Sequence, residues 1–143
     1  MQEDLIDQLE DTKTIDVRLV DETVSSLCDE SAFFKEDLQE FQPIVRRAVA
    51  LGRTVIDPLA VLCSLASTER EILSLQLHPL QDMVPEDDRL RVIEQVLVSV
   101  VAQVGASINA MVHIDWMSQT LQFVPGLGPR KARALIKVGS SIL

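Results

Sequence analysis

The residues of this chain best placed to do chemistry lie near its C-terminal end. The run Phe123-Val124-Pro125-Gly126-Leu127-Gly128-Pro129-Arg130-Lys131-Ala132-Arg133-Ala134-Leu135-Ile136 has the order of a helix-hairpin-helix extending over Phe123–Val138. A tight turn between two helices needs residues that tolerate positive φ and close approach, which points to Gly126 and Gly128. Leu127 between them can pin the turn to both helices, and Pro129 suits the first turn of the second helix, where its missing N–H costs nothing. Backbone N–H groups at such a helix start attract phosphate through hydrogen bonds and the helix dipole. Arg130, Lys131 and Arg133 add positive charge around it. Ala132 and Ala134 are expected to keep the helix crossing close. The chemistry expected at Gly126, Gly128, Arg130, Lys131 and Arg133 is therefore weak, non-specific contact with a DNA or RNA backbone, without reading of bases. The alternative is a hairpin that only packs helices within a larger scaffold.

Other reactive side chains assemble into nothing comparable. His78 and His113 are far apart and poorly partnered for zinc, so His78 reads as a connector residue making a structural hydrogen bond. Cys28 and Cys63 stand alone, without a CxxC, and read as buried reduced thiols. Asp87 and Asp88 are explained by a helix N-terminus rather than a metal. Trp116 reads as the anchor of a short helix. A nuclease of the RNase H type needs converging carboxylates to hold Mg²⁺, and the acids here show no such arrangement. No catalytic residue, metal site or cofactor is expected.

The net charge of −9 speaks against nucleic acid until its distribution is seen. Thirteen of the 22 acids lie between Glu3 and Glu40, whereas none follows Asp115. Screening over about 8 Å lets a basic end act apart from a distant acidic one. The acidic start is a solvated face or, less simply, a surface for a basic protein. Aromatic residues make up only 3% of a chain that is 47% hydrophobic. That favours stacked helices over a β-sandwich and disfavours stacking of single-stranded bases on exposed rings. The start lacks a cationic region followed by an apolar one, and the apolar stretch Val96–Val104 is broken by Ser99 and Gln103. A soluble intracellular chain with no membrane partner is expected.

The fold expected is mainly α, a helical array ending in the hairpin. Thr14–Val20 alternates as a short strand, and Glu22–Cys28 suits a brief helix. Pro43 opens a helix whose inward stripe is expected to be Ile44, Ala48, Leu51 and Val55. Asp57 caps, and Pro58 opens, the next, with Leu59, Leu62, Leu65 and Ala66 apolar. His78-Pro79-Leu80-Gln81 is an extended or turning connector. The longest helix is expected from Pro85 to about Val112, bent or interrupted at Gly105, with Leu90, Ile93, Leu97, Val100, Val101 and Val104 inward. A shorter one over about Asp115–Phe123 leads into the hairpin.

Four segments together resemble the eukaryotic suppressor-of-Ty-six family of transcription elongation factors and histone chaperones, related to bacterial Tex. They are Arg47-Ala48-Val49-Ala50-Leu51-Gly52-Arg53 running into Asp57-Pro58-Leu59; His78-Pro79-Leu80-Gln81; Val104-Gly105-Ala106-Ser107-Ile108-Asn109; and Leu121-Gln122-Phe123-Val124 through Lys131-Ala132. The resemblance covers about Ile15–Ile136. It implies that residues 1–56 are the C-terminal part of a YqgF (RNase H-like) domain, to which the short strand would belong. Residues 57–143 would then be a helical connector and helix-hairpin-helix DNA-binding region. It also implies a nuclear, chromatin-associated scaffold without catalysis, working with the RNA polymerase II elongation complex and histones. Two other classes compete with it: a protein-interaction module with a purely structural hairpin, and an accessory DNA-binding region of a repair nuclease. Residues 1–37, cut off from most of a YqgF fold, are expected to be loosely held.

Overall fold

The computed structural model describes residues 17–67 and 70–139. Its order is α1 (Thr23–Glu30), α2 (Ala32–Asp37), α3 (Pro43–Ile56), α4 (Pro58–Leu65), α5 (Glu86–Val104), α6 (Ile108–His113) and α7 (Gly128–Gly139). Short 3₁₀ turns occupy Glu71–Ser74 and Gln81–Met83, and a longer 3₁₀ segment runs over Asp115–Phe123. The fold is mainly α, as the hydrophobic spacing indicates. Part of the strand expected over Thr14–Val20 lies outside the described residues, and Val17–Val20 belongs to no helix or strand.

The hub is α4. Proline at its first position and the Asp57 carboxylate, which accepts from the Ala60 amide at 2.9 Å, fix its start. Ala60, Val61, Cys63, Ser64 and Leu65 are all buried, so this helix is covered on nearly every side. The 3₁₀ segment Asp115–Phe123, α3 and α5 pack around it. The main core joins Cys28, Phe34 and Ala50 to Val61, Leu65, Leu97 and Phe123. A second, smaller core of Met111, Leu121 and Ala132 sits under the hairpin. Ala106 and Val124 pack against both.

Of the residues expected to be loosely held, 1–16 lie outside the described residues, whereas 23–37 pack into the core. Cys28 and Phe34 are fully buried, and α1 lies along α3. The start of α2 is completed from a distance. Ser31 offers it no side-chain cap, and Glu71 reaches across to accept from the Ala32 amide at 2.8 Å. That bond closes one of the four donors every helix start leaves open.

In α3 the expected apolar stripe faces outward. Ile44 and Val55 are 75% and 47% exposed, Ala48 is exposed and Leu51 half-buried. The inward face is instead Arg46, Val49, Ala50 and Arg53. Charge pairing and ring contacts set this rotation. Arg46 and Arg47 flank Asp29 at 3.7 and 3.6 Å. Arg53 meets Asp37 and lies over both the Phe34 and Trp116 rings, 5.4 and 5.2 Å from their centroids. Long arginine stems bury as apolar surface while their heads find partners. Hydrophobic spacing alone counts such residues as polar.

The longest helix ends at Val104, not near Val112. Gly105 adopts φ 85° and ψ 162°, a region essentially reserved for glycine, and the chain restarts at α6 with Ser107 as cap. Leu90, Leu97 and Val101 are buried as expected, but Val104 is 71% exposed because the helix stops there. Among the described residues, no helix is long and apolar enough to cross a membrane.

Cys28 and Cys63 are both fully buried and free, and burial pushes each thiol up to about 12 from an ordinary 9.0. Below pH 9 both states hold these protons. Above it the unfolded chain ionises while the folded one does not until about 12, so stability falls as pH rises from about 9 to 12. Urea midpoints should therefore be flat from pH 7 to 8.5 and decline above 9, and the decline should shrink in a Cys28→Ala/Cys63→Ala variant. Iodoacetamide at pH 8 should modify neither cysteine until the chain is denatured. Rapid labelling of the native chain would contradict this burial.

Candidate nucleic-acid interface

The hairpin is built from the inside outward. Leu121, with no exposed surface, lies in the small core against Ala132 of α7 and Met111 of α6. The Val124 amide donates to the Leu121 carbonyl at 3.2 Å and the Leu127 amide to Val124 at 3.0 Å, folding the chain back on itself. Gly126 and Gly128 both hold positive φ, 82° and 65°. Leu127 between them is half-buried against the small core, as its position implies. Ala132 is 3% exposed and admits close approach of the two segments. Ala134 faces solvent instead and has no part in that crossing. It lies two residues from Ala132, about half a helical turn away.

The two glycines serve the backbone rather than a crowded contact. A Cβ built at either position meets nothing within 4 Å. The turn therefore opens outward, and the space above it continues into a concavity of about 500 Å³ lined by Leu127, Gly128, Pro129, Arg130, Lys131 and Arg133. A helix start leaves its first backbone amides without intrahelical partners, and Pro129 contributes no such donor to α7. Of the residues expected to meet a phosphate backbone, Gly128, Arg130, Lys131 and Arg133 line this concavity, and Gly126 does not.

The three cations are not equivalent. Lys131 Nζ donates to the Gly126 carbonyl at 3.0 Å, and Arg133 Nε donates to Pro129 at 3.3 Å. Each thus braces its own turn while keeping an exposed charge. Arg130 is exposed and makes no ion pair among the described residues. The α7 helix begins without acids in its first turn, so the charged side chains there are the cations Arg130, Lys131 and Arg133.

One structural residue escaped the sequence reading. A Cβ at Gly139 would lie 2.7 Å from Val112 Cγ1, so the end of α7 touches α6 through glycine. The signal was present: Ala132, Leu135, Ile136 and Gly139 repeat at helical spacing along one face of α7.

The remaining candidates occupy structural places. His78 Nδ1 accepts from the Leu80 amide at 3.1 Å, the connector role expected of it. Trp116 packs half-buried on the main core and under Arg53. Asp87 and Asp88 pair with Arg70 and Arg91 at the start of α5. Among the described residues, no three His, Cys, Asp or Glu side chains converge to hold a metal ion.

Comparison with known proteins adds to this geometry. The family model described as "Helix-hairpin-helix motif" matches residues 70–141. A transcription elongation factor SPT6 homolog of Arabidopsis thaliana is 44% identical over 125 residues, covering 85% of this chain and 8% of the relative. An SPT6-like transcription elongation factor of the same plant is 40% identical over 136 residues, 91% of this chain and 10% of its own length. Drosophila melanogaster transcription elongation factor SPT6 is 34% identical over 124 residues, 87% and 7% respectively. The chain thus spans a tenth or less of these relatives.

Proposed function

The chain belongs to the helix-hairpin-helix family, in the form carried by SPT6 transcription elongation factors, and from that premise we propose that it is a non-catalytic scaffold segment of transcription elongation that holds a nucleic-acid backbone through its hairpin. The outward-open turn of Gly126 and Gly128, set against the α7 start and ringed by Arg130, Lys131 and Arg133, carries this reading. Such a turn offers amides and charge to a phosphate and nothing to a base edge. Nuclear location, and work beside the RNA polymerase II elongation complex and histones, follow as part of the same proposal from the family resemblance. So does the division of the chain into the end of a YqgF domain at 1–56 and a connector with hairpin at 57–143. The apolar outer face of α3, with Ile44, Val55 and Ile56 exposed, suits a helix that completes a larger domain.

Fluorescence anisotropy with duplex and single-stranded DNA at 50 and 200 mM salt tests the proposal. Two or three phosphate contacts predict a drop in affinity of roughly tenfold to fortyfold between those salts. Arg130→Glu and Gly128→Val should each abolish binding while circular dichroism stays helical. The competing reading, a purely structural hairpin in a protein-interaction module, draws on the use of Lys131 and Arg133 to brace their own turn. Absence of binding at low salt, or binding indifferent to both variants, would decide for it.

A further inference from the structure

The peptide unit joining Gly126 to Leu127 is tied at both of its polar ends. Its N–H, the Leu127 amide, donates to the Val124 carbonyl at 3.0 Å. Its carbonyl, on Gly126, accepts from Lys131 Nζ at 3.0 Å. The unit is planar, so fixing both ends fixes its orientation. One bond reaches back to the chain entering the turn, and the other reaches forward to α7.

The second bond matters because of where it falls. Residues 124–127 form a β-turn closed by the Leu127 amide, with Pro125 second and Gly126 third at φ 82°. Proline second and a glycine of positive φ third is the pattern of a type II turn. Proline has a fixed φ, whereas glycine takes either sign of φ at little cost. Gly126 is therefore the joint at which the turn is free to change shape. It is exposed, and a Cβ built there meets nothing within 4 Å, so packing does not restrain it. Leu127 and Gly128 follow directly, and both line the concavity of the candidate interface. Movement at Gly126 would displace that wall.

The other two cations restrain no such joint. Arg133 Nε donates to the Pro129 carbonyl at 3.3 Å, one turn back within α7 itself. Arg130 is exposed and makes no ion pair among the described residues. Building on the nucleic-acid reading above, we propose that the cations divide the task. Lys131 is a positioning residue that acts through the Gly126 carbonyl, and Arg130 supplies the phosphate contact.

The test titrates duplex DNA with the full chain and with Lys131→Met, Arg130→Met and Arg133→Met, following anisotropy from about 50 to 200 mM salt. Each phosphate contact contributes about 0.9 to the slope of log affinity on log salt, and Arg130→Met should flatten the slope by about that amount. Lys131→Met should weaken binding roughly twofold to tenfold with less than about half of that change in slope. In amide NMR of the free chain, Leu127 should exchange roughly twofold to tenfold faster in Lys131→Met. It should keep the parental rate in Arg130→Met and Arg133→Met. Lys131→Arg, which retains a charged donor, should restore both affinity and Leu127 exchange, with urea midpoints parental throughout. A slope flattened as much by Lys131→Met as by Arg130→Met would overturn the division, as would an unchanged Leu127 amide. If the parent itself binds no duplex at the lowest salt, the underlying reading fails and the division falls with it.

Discussion

Replacing Arg53 by alanine should cost this chain about 2–4 kcal/mol of stability, more than most substitutions at a charged residue. The guanidinium is 13% exposed and lies 2.6 Å from the Asp37 carboxylate, itself 28% exposed. The approach is close enough to pair the charges without the alignment of a good hydrogen bond. The same group lies over Phe34 in α2 and Trp116 in the 3₁₀ segment, so it joins three elements at one point. Its removal strands a partly buried carboxylate and leaves two rings facing a gap, with each cation–π contact worth about 0.5–2 kcal/mol. Urea unfolding followed by circular dichroism measures the loss. Arg53→Lys keeps the charge but not the plane and should recover less than half of it. A loss under about 0.5 kcal/mol would show the pair to be an ordinary surface contact.

Leu121→Ala should be comparably damaging, about 2–5 kcal/mol, through lost transfer energy and the cavity left behind. The small core under the hairpin is Met111, Leu121 and Ala132 with a few half-buried neighbours, too few to close over the gap. Leu121 also supplies the carbonyl that begins the turn. The variant should therefore weaken nucleic-acid binding even at temperatures where the chain stays folded, while Leu121→Met, which conserves volume, should cost under about 1.5 kcal/mol. Unfolding curves and anisotropy on the same samples test both halves. A variant that loses stability but binds at parental affinity would separate the hairpin's shape from this core.

Sequence reasoning succeeded where a local rule has one strong outcome. Asp57-Pro58 starts a helix because the carboxylate caps it and proline needs no donor there, and the side chain does cap. Gly126 and Gly128 take the positive φ that the hairpin spelling implies. Failures arose where tertiary contacts outweighed local pattern. The α3 face turned because Arg46 and Arg53 found Asp29 and Asp37 on other helices. At Gly105 the expected bend or interruption is an interruption, so α5 ends there and does not run on to about Val112. Ala134 resembled Ala132 in type but not in direction, and only Ala132 is buried. The Glu71 cap on α2, spanning 39 residues, has no local signal.

That distant cap also bears on how the chain acquires its structure. Residues 32 and 71 lie on opposite sides of the proposed boundary near 56, as do the members of the main core, where Cys28 and Phe34 meet Val61, Leu65 and Phe123. A bond of this separation closes only after the intervening helices have assembled, so α2 depends for its full stability on a loop synthesised later. Contacts across the proposed boundary thus tie its two sides into one core. Local openings should follow the same division of labour: the 71–75 connector and α1–α2 should exchange their amides together, and the hairpin on its separate core should open independently of them.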